Sequence, residues 1–154
     1  MGRALSAEEP LAVPHEEAAA GLDRVDQRYT RGRRALVEVL AGADRPLTVP
    51  EILAASGAAV PQSSAYRSLT VLIDAGVVRR VTGTDDMGRF ELAEHLRGHH
   101  HHLHCVSCGT VADVQAVPRL ERALAAAAEL AAEETGFAVM EHRIDLVGHC
   151  SGCR

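Results

Sequence analysis

The amino-acid sequence predicts an α+β fold built from an N-terminal winged helix-turn-helix unit and a small C-terminal α/β unit. Three observations support this prediction. Apolar residues recur at helical spacing in three segments between residues 25 and 76, and a glycine ends each segment. Two alternating strand-like runs then flank a turn rich in Gly and Asp. Beyond them, three further strand-like runs accompany one alanine-rich helical segment.

The first two helices are predicted from their start and stop signals. The first runs from about residue 25 or 30 to residue 40 and ends before Gly42. The second follows a capping box, in which Thr48 precedes Glu51 by three residues, and ends at Gly57. Both helices are short, as expected for a compact helical unit.

The third helix lies within VPQSSAYRSLTVLIDAG, residues 60–76, where Ser63 or Ser64 can cap it. Its inward face carries Ala65, Leu69, Leu72 and Ile73. Its outward or N-terminal part presents Ser64, Tyr66, Arg67 and Ser68. Two short helices joined by a brief turn, the second carrying small polar residues, Tyr and Arg, predict a helix-turn-helix. A three-helix bundle without DNA binding gives the same apolar pattern, so that alternative stays open.

Two runs after the third helix predict the strands of a wing. They are VVRRV at 77–81 and RFELA at 89–93, separated by TGTDDMG. Arg79 and Arg80 could contact phosphates there, which would supply affinity without sequence information. As ordinary surface charges they would need no partner, so both interpretations remain.

The C-terminal unit is predicted from three more strand-like runs, HHLHCV, GTVADVQ and FAVMEHRIDLVG, and a helix from about Pro118 to Thr135. The helix has an alanine-rich apolar stripe of Leu120, Leu124, Ala127, Ala128 and Ala131. So small a unit buries little apolar surface alone, so we expect dimerisation and bound zinc to stabilise it. An ordinary monomeric core is the alternative.

Four cysteines form two Cys-x-x-Cys pairs, Cys105 with Cys108 and Cys150 with Cys153. Four thiolates in two such pairs predict a closed tetrahedral zinc site, which would attach the C-terminal end to the middle of the chain. Two disulfides or two redox pairs are the alternatives. The lack of a recognisable secretory segment disfavours disulfides.

Four consecutive histidines precede the first of these pairs. If this run is extended, His99 and His101 point to one side and His100 and His102 to the other. One strand could therefore supply two different metal centres. A solvated polar run or an expression tag would also account for consecutive histidines.

The charge of the chain is unevenly distributed around its formal net value of −5. Residues 24–81 contain nine arginines and five acidic residues, whereas the segments on either side are net acidic. A basic middle is typical of a nucleic-acid-binding module joined to another unit. The first 22 residues lack apolar periodicity and predict a flexible leader. Because no signal peptide or membrane span is recognisable, we expect a cytoplasmic protein with reduced thiols.

Several motifs together resemble the ferric uptake regulator (Fur) superfamily of bacterial metal-sensing repressors. They are SSAYRSLTVLIDAGVVRRV, RFEL, HHHHLHCVSCGTVADV and EHRIDLVGHCSGC, and the resemblance covers roughly residues 28–153. It implies metal-loaded homodimers that bind palindromic operators in double-stranded DNA, repress transcription and control metal homeostasis. The implied organisation is a leader (1–22), a winged-helix domain (23–82, with the wing extending to about 93), a wing turn and hinge (83–88) and a metal-binding dimerisation domain (89–154).

The resemblance also implies site residues, carried over by motif. DNA contacts would come from Tyr66 and Arg67 on the recognition helix, with Ser63 and Ser64 beside them. Structural zinc would be held by Cys105, Cys108, Cys150 and Cys153. An interdomain sensing site would contain Glu91, His100 and His102, and a third site His99, His101, Glu121 and His142. Asp113 occupies a position that some members use as a further ligand.

The chain departs from the family pattern in ways that bear on the effector metal. The interval from Glu91 to His100 is longer than usual and contains His95, which could replace Glu91 or join it. Residues 25–80 contain no histidine, and no cysteine precedes the histidine run. These features disfavour a standard iron, peroxide or zinc sensor. The second divalent metal, which acts as effector, could therefore be zinc, iron, manganese or nickel.

Two other classes of protein use some of the same residue types, namely a zinc-dependent hydrolase and a thiol redox protein. A hydrolase would use His and Glu ligands with an open position for water. The sequence has neither an HExxH pairing nor a nucleophile elbow. A redox protein would use the two Cys-x-x-Cys pairs. We therefore expect a regulator rather than an enzyme.

Overall fold

The computed structural model describes residues 12–85 and 87–154, so residues 1–11 of the predicted leader and residue 86 of the predicted wing turn lie outside the description. The helices are α1 (His15–Asp23), α2 (Arg31–Ala41), α3 (Val49–Ser56), α4 (Gln62–Asp74), α5 (Glu94–Arg97) and α6 (Pro118–Thr135). The strands are β1 (Leu47–Thr48), β2 (Val78–Thr82), β3 (Gly88–Leu92), β4 (His100–Cys105), β5 (Val111–Gln115) and β6 (Asp145–Gly148).

Helices α2, α3 and α4 pack around one apolar core. Its fully buried members include Leu36, Leu40, Ile52, Leu69 and Leu72. The capping box at the start of α3 is present, because a Glu51 carboxylate oxygen accepts both the backbone N–H and the hydroxyl of Thr48 at 2.7 Å. Helix α4 begins after Pro61 instead of a serine, so the predicted cap at Ser63 or Ser64 is wrong and both serines lie in its first turn.

The leader is not flexible throughout, which corrects the prediction for residues 15–22. These residues belong to α1, where Ala18 and Leu22 are fully buried on one face. Gly21 makes this packing possible, since a Cβ there would lie 2.8 Å from the carbonyl oxygen of Ala75. With Ala and Gly supplying most of the contact face, the apolar pattern was too weak to predict a helix.

The first sheet is antiparallel, with strand order β1-β3-β2. It contains the two predicted wing strands, in a register that sets Arg79 opposite Glu91 and Val78 opposite Leu92. Because β3 pairs on both sides within this sheet, residues 89–92 belong to the winged unit. The segment predicted as wing turn and hinge, 83–88, spans the connection from β2 to β3 within the winged unit, whereas the connection between the two sheets is the segment 93–99, which contains α5.

The second sheet has strand order β5-β4-β6, with β4 antiparallel to β5 and parallel to β6. Helix α6 begins and ends at the predicted residues, Pro118 and Thr135. Gly136 caps its C-terminus in the left-handed conformation, with φ +70°. The third predicted strand forms only over β6. No residue of α6 is fully buried. No helix in the described part of the chain is both long enough and apolar enough to cross a bilayer.

The wing turn packs against the loop that carries the first cysteine pair. Thr84 donates a hydrogen bond from its hydroxyl to the carbonyl oxygen of Cys105, at 3.4 Å. Gly109 has φ +70°, and a Cβ there would overlap the carboxylate of Asp85. The positive φ favours glycine at the end of the Cys-x-x-Cys loop, and the contact with Asp85 joins the two units.

Candidate metal centres and DNA-facing helix

Strand β4 distributes the histidine run over two faces, as the alternation of an extended chain requires. His100, His102 and His104 lie on one face and His101 on the other, and all four are buried. Burying four imidazoles in one strand is costly unless each ring finds polar partners. The partners come from β3, β5, β6, α6 and the segment before β6.

The cysteine cluster consists of Cys105, Cys108, Cys150 and Cys153, all as free thiols. The parallel pairing of β4 with β6 brings the second pair to the first, since Cys105 lies opposite Gly148. The sulfur atoms of Cys108 and Cys150 are 3.8 Å apart. Zinc–sulfur bonds of about 2.3 Å in a tetrahedron give a sulfur-to-sulfur edge of about 3.8 Å, so the cluster fits zinc.

Backbone N–H groups already favour the thiolate form at one member of the cysteine cluster. The backbone amides of Cys150 and Cys108 lower the pKa of the Cys105 thiol to about 6. The Cys150 amide donates to the Cys105 sulfur at 3.3 Å. Such donors are expected around a thiolate that binds metal.

The Glu91 cluster consists of Glu91, His100, His102 and Asp113. Glu91 reaches it from β3, the two histidines from β4, and Asp113 from β5, where it pairs with His102. The Glu91 carboxylate lies 3.1 Å from His100 Nε2 and 3.2 Å from His102 Nε2. Asp113 is farther, at 4.0 and 3.9 Å from the same two nitrogens.

Two features of the Glu91 cluster fit a bound cation. His100 donates its Nδ1 proton to the carbonyl oxygen of Gly98 at 2.8 Å, so Nε2, which faces Glu91, is the nitrogen that would bind a cation after losing its proton. Asp113 Oδ1 is buried and accepts no hydrogen bond from any described residue, while Oδ2 accepts one from Arg97 at 2.6 Å. An unsatisfied buried carboxylate oxygen beside two imidazoles is the donor set that a divalent transition metal prefers.

The two carboxylates of the Glu91 cluster differ in their electrostatics. Burial alone would raise the pKa of Glu91, but hydrogen bonds from His100 and His102 and the charge of Arg79 outweigh it, and the pKa lies far below its usual range. Burial raises the pKa of Asp113, because desolvation exceeds the effect of Arg97. Glu91 is therefore ionised and ready to bind a cation at neutral pH.

Arg79 points into the Glu91 cluster. Its Nε donates to the Glu91 carboxylate at 2.5 Å, and its Nη2 lies 3.2 Å from His100 Nε2. From the sequence, Arg79 was interpreted either as a phosphate contact or as an unpaired surface charge. In the structure it is instead ion-paired with Glu91. The residue spacing of the β2–β3 hairpin could have predicted this ion pair, because the antiparallel register sets Arg79 opposite Glu91.

The Glu121 cluster consists of His99, His101, Glu121 and His142, as the motif match implied. Glu121 lies in the first turn of α6, and its carboxylate is 2.8 Å from His101 Nε2, 3.2 Å from His99 Nε2 and 3.1 Å from His142 Nε2. The hydrogen bond with His101 lowers the pKa of Glu121. Glu94, which the sequence did not single out, accepts a hydrogen bond from the Nδ1 atom of His99.

His95 does not take part in any of these clusters, so the prediction that it replaces or joins Glu91 is wrong. It lies exposed on α5. The helical turn of α5 absorbs the extra residues between Glu91 and His100. Successive helical residues are rotated by about 100°. Glu94 therefore faces the histidines and His95 faces away.

Of the six residues proposed to contact DNA, all except Arg79 are exposed. Ser63, Ser64, Tyr66 and Arg67 are exposed in the first part of α4. Arg80 is exposed on β2 and passes over Gly88, where a Cβ would lie 2.5 Å from its Nε. The helix and the wing thus present two arginines, Arg67 and Arg80, to solvent.

Comparisons with known proteins agree with this architecture. The model of the ferric uptake regulator family matches residues 24–147. The peroxide-responsive repressor PerR of Staphylococcus epidermidis is 31% identical over 142 residues, which cover 90% of this chain and 89% of the relative. PerR of Staphylococcus aureus is 32% identical over 142 residues and covers 90% of both chains.

Solved structures show the same fold. The ferric uptake regulator of Vibrio cholerae superimposes with a TM-score of 0.66 at 25% identity, covering 85% of this chain and 98% of that one. A zinc-bound manganese uptake regulator superimposes with a TM-score of 0.65 at 29% identity, covering 88% of this chain and 98% of that one. The ferric uptake regulator of Helicobacter pylori superimposes with a TM-score of 0.74 at 20% identity, covering 95% of this chain and 97% of that one. The predicted α+β fold class and family resemblance are confirmed, and the chain belongs to the ferric uptake regulator family.

Proposed function

We propose that this protein is a metal-dependent transcriptional repressor that binds palindromic operators in double-stranded DNA as a cytoplasmic homodimer and controls metal homeostasis. The Glu91 cluster carries the proposal, because its ligands come from both units. Glu91 lies on β3 of the winged unit, and His100, His102 and Asp113 lie on β4 and β5. A bound divalent cation would supply charge and fixed coordination directions that favour the arrangement joining all four side chains.

The two carboxylates of the Glu91 cluster repel each other, and a bound cation would remove this repulsion. The buried carboxylates of Glu91 and Asp113 lie in one cluster, and like charges repel strongly at low dielectric. Arg79 and Arg97 offset part of that repulsion through their ion pairs with Glu91 and Asp113. The balance between arginine and metal as counterion therefore sets how firmly the winged unit is held. That coupling makes DNA affinity depend on metal.

The DNA contacts proposed for α4 rest on exposure and position. Ser63, Ser64, Tyr66 and Arg67 lie in the N-terminal part of a helix that follows a short turn, which is the part of a recognition helix that reaches base edges. Tyr66 exposes 61% of its surface, which is unusual for an aromatic residue without a binding role. Arg80 on the wing would add a phosphate contact.

Dimerisation is supported by the exposed apolar surface of the C-terminal unit. Side chains of α6, β6 and the segment between them are widely exposed, among them Leu130, Phe137, Met140, Leu146 and Val147. Apolar surface of this extent marks an interaction site. A second copy would cover it and would set two α4 helices at a fixed separation, matching two half-sites of a palindrome.

The metal sites are proposed to have different roles. Four thiolates bind zinc tightly and suit a structural site in the cysteine cluster. Imidazole and carboxylate ligands bind more weakly and suit an exchangeable effector in the Glu91 cluster, with the Glu121 cluster as a third site. Zinc, iron, manganese and nickel all accept such ligands.

The two other classes are less favoured by specific features. A zinc hydrolase needs an open coordination position, whereas the Glu91 and Glu121 clusters each offer four protein ligands. A redox protein needs a thiol pair that forms a disulfide on its own, whereas the two cysteine pairs meet as one group of four. The named relatives are repressors and regulators.

A gel-shift titration tests the proposal and identifies the effector. Purified protein stripped of exchangeable metal, with zinc retained in the cysteine cluster, is mixed with candidate promoter fragments. Zinc, iron(II), manganese and nickel are added separately. We expect at least one metal to produce a specific shift on a palindromic fragment. Absence of a metal-dependent shift with every metal, on promoters covering the whole source genome, would overturn the proposal.

A further inference from the structure

A fourth group of possible ligands shares one histidine with the Glu91 cluster, and its other two members are used by none of the functions above. It consists of His102, His104 and Asp145, which meet where β4 pairs in parallel with β6. Asp145 Oδ1 lies 3.3 Å from His104 Nε2 and 3.5 Å from His102 Nδ1. The other ring nitrogen of His102 faces Glu91 at 3.2 Å, so one imidazole borders both groups.

His104 has a buried ring nitrogen that no hydrogen bond satisfies. Its side chain is only 4% exposed, and its Nε2 makes no hydrogen bond within the described chain. An unsatisfied buried polar atom costs about 1–3 kcal/mol. A residue of this kind therefore needs an explanation, such as an ion that occupies the space in front of it.

The distances fit a shared cation better than a direct hydrogen bond. Asp145 Oδ1 is within ion-pairing distance of His104 Nε2, yet the direction between them is not that of a hydrogen bond. In a tetrahedral site with metal–ligand distances of about 2.0–2.1 Å, two ligand atoms are about 3.3 Å apart and both lone pairs point at the ion. The observed 3.3 Å and 3.5 Å separations match this edge.

We propose that His104 Nε2, Asp145 Oδ1 and His102 Nδ1 form a further binding site for a divalent first-row transition cation. Two imidazoles and one carboxylate are suitable ligands for zinc, cobalt, nickel or manganese. The side chain of Asp145 is 58% exposed, which gives the ion a path from solvent and leaves a fourth position for water. The proposal concerns metal binding and does not depend on DNA binding.

His102 connects this site to the Glu91 cluster. A neutral imidazole offers one lone pair, so a cation at Nδ1 leaves a proton on Nε2, and a cation at Nε2 leaves a proton on Nδ1. His102 therefore serves one of the two sites at a time. The further site is best measured in a chain whose Glu91 cluster has been weakened.

Equilibrium dialysis with cobalt(II) tests the proposal. The background variant is the full chain with zinc retained by the cysteines. In it, E91Q and H100Q weaken the Glu91 cluster. E121Q and H142Q weaken the Glu121 cluster. We expect one exchangeable cobalt ion per chain that depends on the new site. Adding Asp145→Asn or, separately, His104→Leu should weaken its binding at least tenfold.

The controls separate the proposed site from charge effects and misfolding. Glu141→Gln removes the same charge from an exposed neighbouring residue and should leave cobalt binding unchanged. Asp145→Asn changes an exposed side chain, so retained zinc and an unchanged circular dichroism spectrum will show that the chain is folded. If the background binds no cobalt, or if it binds equally well with Asp145→Asn and with His104→Leu, the three residues form only an ion-paired cluster and the proposal is overturned.

Discussion

Arg79 and Glu91 face each other across β2 and β3, and the guanidinium donates to the carboxylate at 2.5 Å. The same carboxylate lies within 3.2 Å of His100 and His102. The structure therefore contains an internal cation beside the group that a metal ion would bind. Arg97 has the corresponding position beside Asp113. We therefore expect a metal ion and the arginines to compete for the same negative charge, so that changing an arginine should change the metal affinity of the cluster.

Arg79→Gln is expected to raise the affinity of the Glu91 cluster for its effector metal about tenfold to a hundredfold. A hydrogen bond to a charged group contributes about 1.5–3 kcal/mol, and metal binding must disrupt it in the parent. Competition against a chelator of known affinity measures the change. Arg80→Gln, on the exposed side of the same strand, is the matched control and should leave metal affinity unchanged. Equal affinities in parent and Arg79→Gln would show that Arg79 does not compete with metal.

Cys105→Ser is expected to lose the structural zinc and to destabilise the C-terminal unit. The second sheet has few fully buried apolar side chains, so metal ligation contributes a large share of its stability. We expect a loss of at least about 3 kcal/mol. Zinc content and thermal unfolding measure it. Ser107→Ala, in the same loop, should keep both zinc and stability. A stable, zinc-containing Cys105→Ser protein would contradict the structural role of the cluster.

Arg67→Ala is expected to weaken operator binding by about 1–3 kcal/mol at fixed salt, which corresponds to roughly a 5- to 150-fold change. Arg67 lies exposed on α4 and makes no salt bridge among the described residues, so its loss should leave the fold intact. Fluorescence anisotropy with a labelled operator measures the change. Arg119→Ala removes an exposed arginine from α6 and should have little effect. If both variants lose affinity equally, the effect is one of net charge and α4 is not the recognition helix.

Glu51 gives a pH-dependent contribution to stability. The hydrogen bond from Arg45 lowers the pKa of Glu51 to about 2, so the ionised form is favoured in the folded chain. This contribution is fully present above the unfolded pKa of about 4.3 and is lost as the pH falls towards 2. Because the side chain is 39% exposed, Glu51→Gln should cost only about 1 kcal/mol at pH 7.

Urea unfolding at pH 7 and at pH 3 checks this prediction. The difference in unfolding free energy between the parent and Glu51→Gln should shrink at the lower pH. Glu133→Gln, an exposed change on α6, is the control and should show no difference at either pH. A difference that stays constant or grows on acidification would show that Glu51 does not act through its charge.

Sequence patterns predicted the elements whose signals are local. The capping box at Thr48, the glycine that ends α6 and the alternation of β4 are each encoded within a few residues, and each is present. The cysteine cluster could be foreseen because two Cys-x-x-Cys pairs leave little choice of partners, whereas the Glu121 cluster was implied only by the resemblance to the ferric uptake regulator family. Helix α1 was missed, because its contact face is made largely of Ala and Gly.

Features that depend on register between distant segments could not be read from spacing. The position of Arg79 beside Glu91 follows from the hairpin pairing, and that of Asp145 beside His102 and His104 follows from parallel pairing of β4 with β6. His95 was a plausible ligand by sequence distance, but one turn of α5 directs it away from the cluster. The segment predicted as wing turn and hinge precedes β3, whereas the connection between the sheets follows it, because β3 serves both as a wing strand and as the source of Glu91.

The most direct test of the account is the operator affinity of the zinc-containing protein with and without exchangeable metal, compared with a His100→Ala/His102→Ala variant. The account predicts that effector metal strengthens operator binding of the parent by about 5- to 150-fold, the usual range of a coupling free energy. The variant should keep its cysteine-bound zinc and show no gain. Equal operator affinity of the parent with and without exchangeable metal, or a full metal response in the variant, would contradict the account.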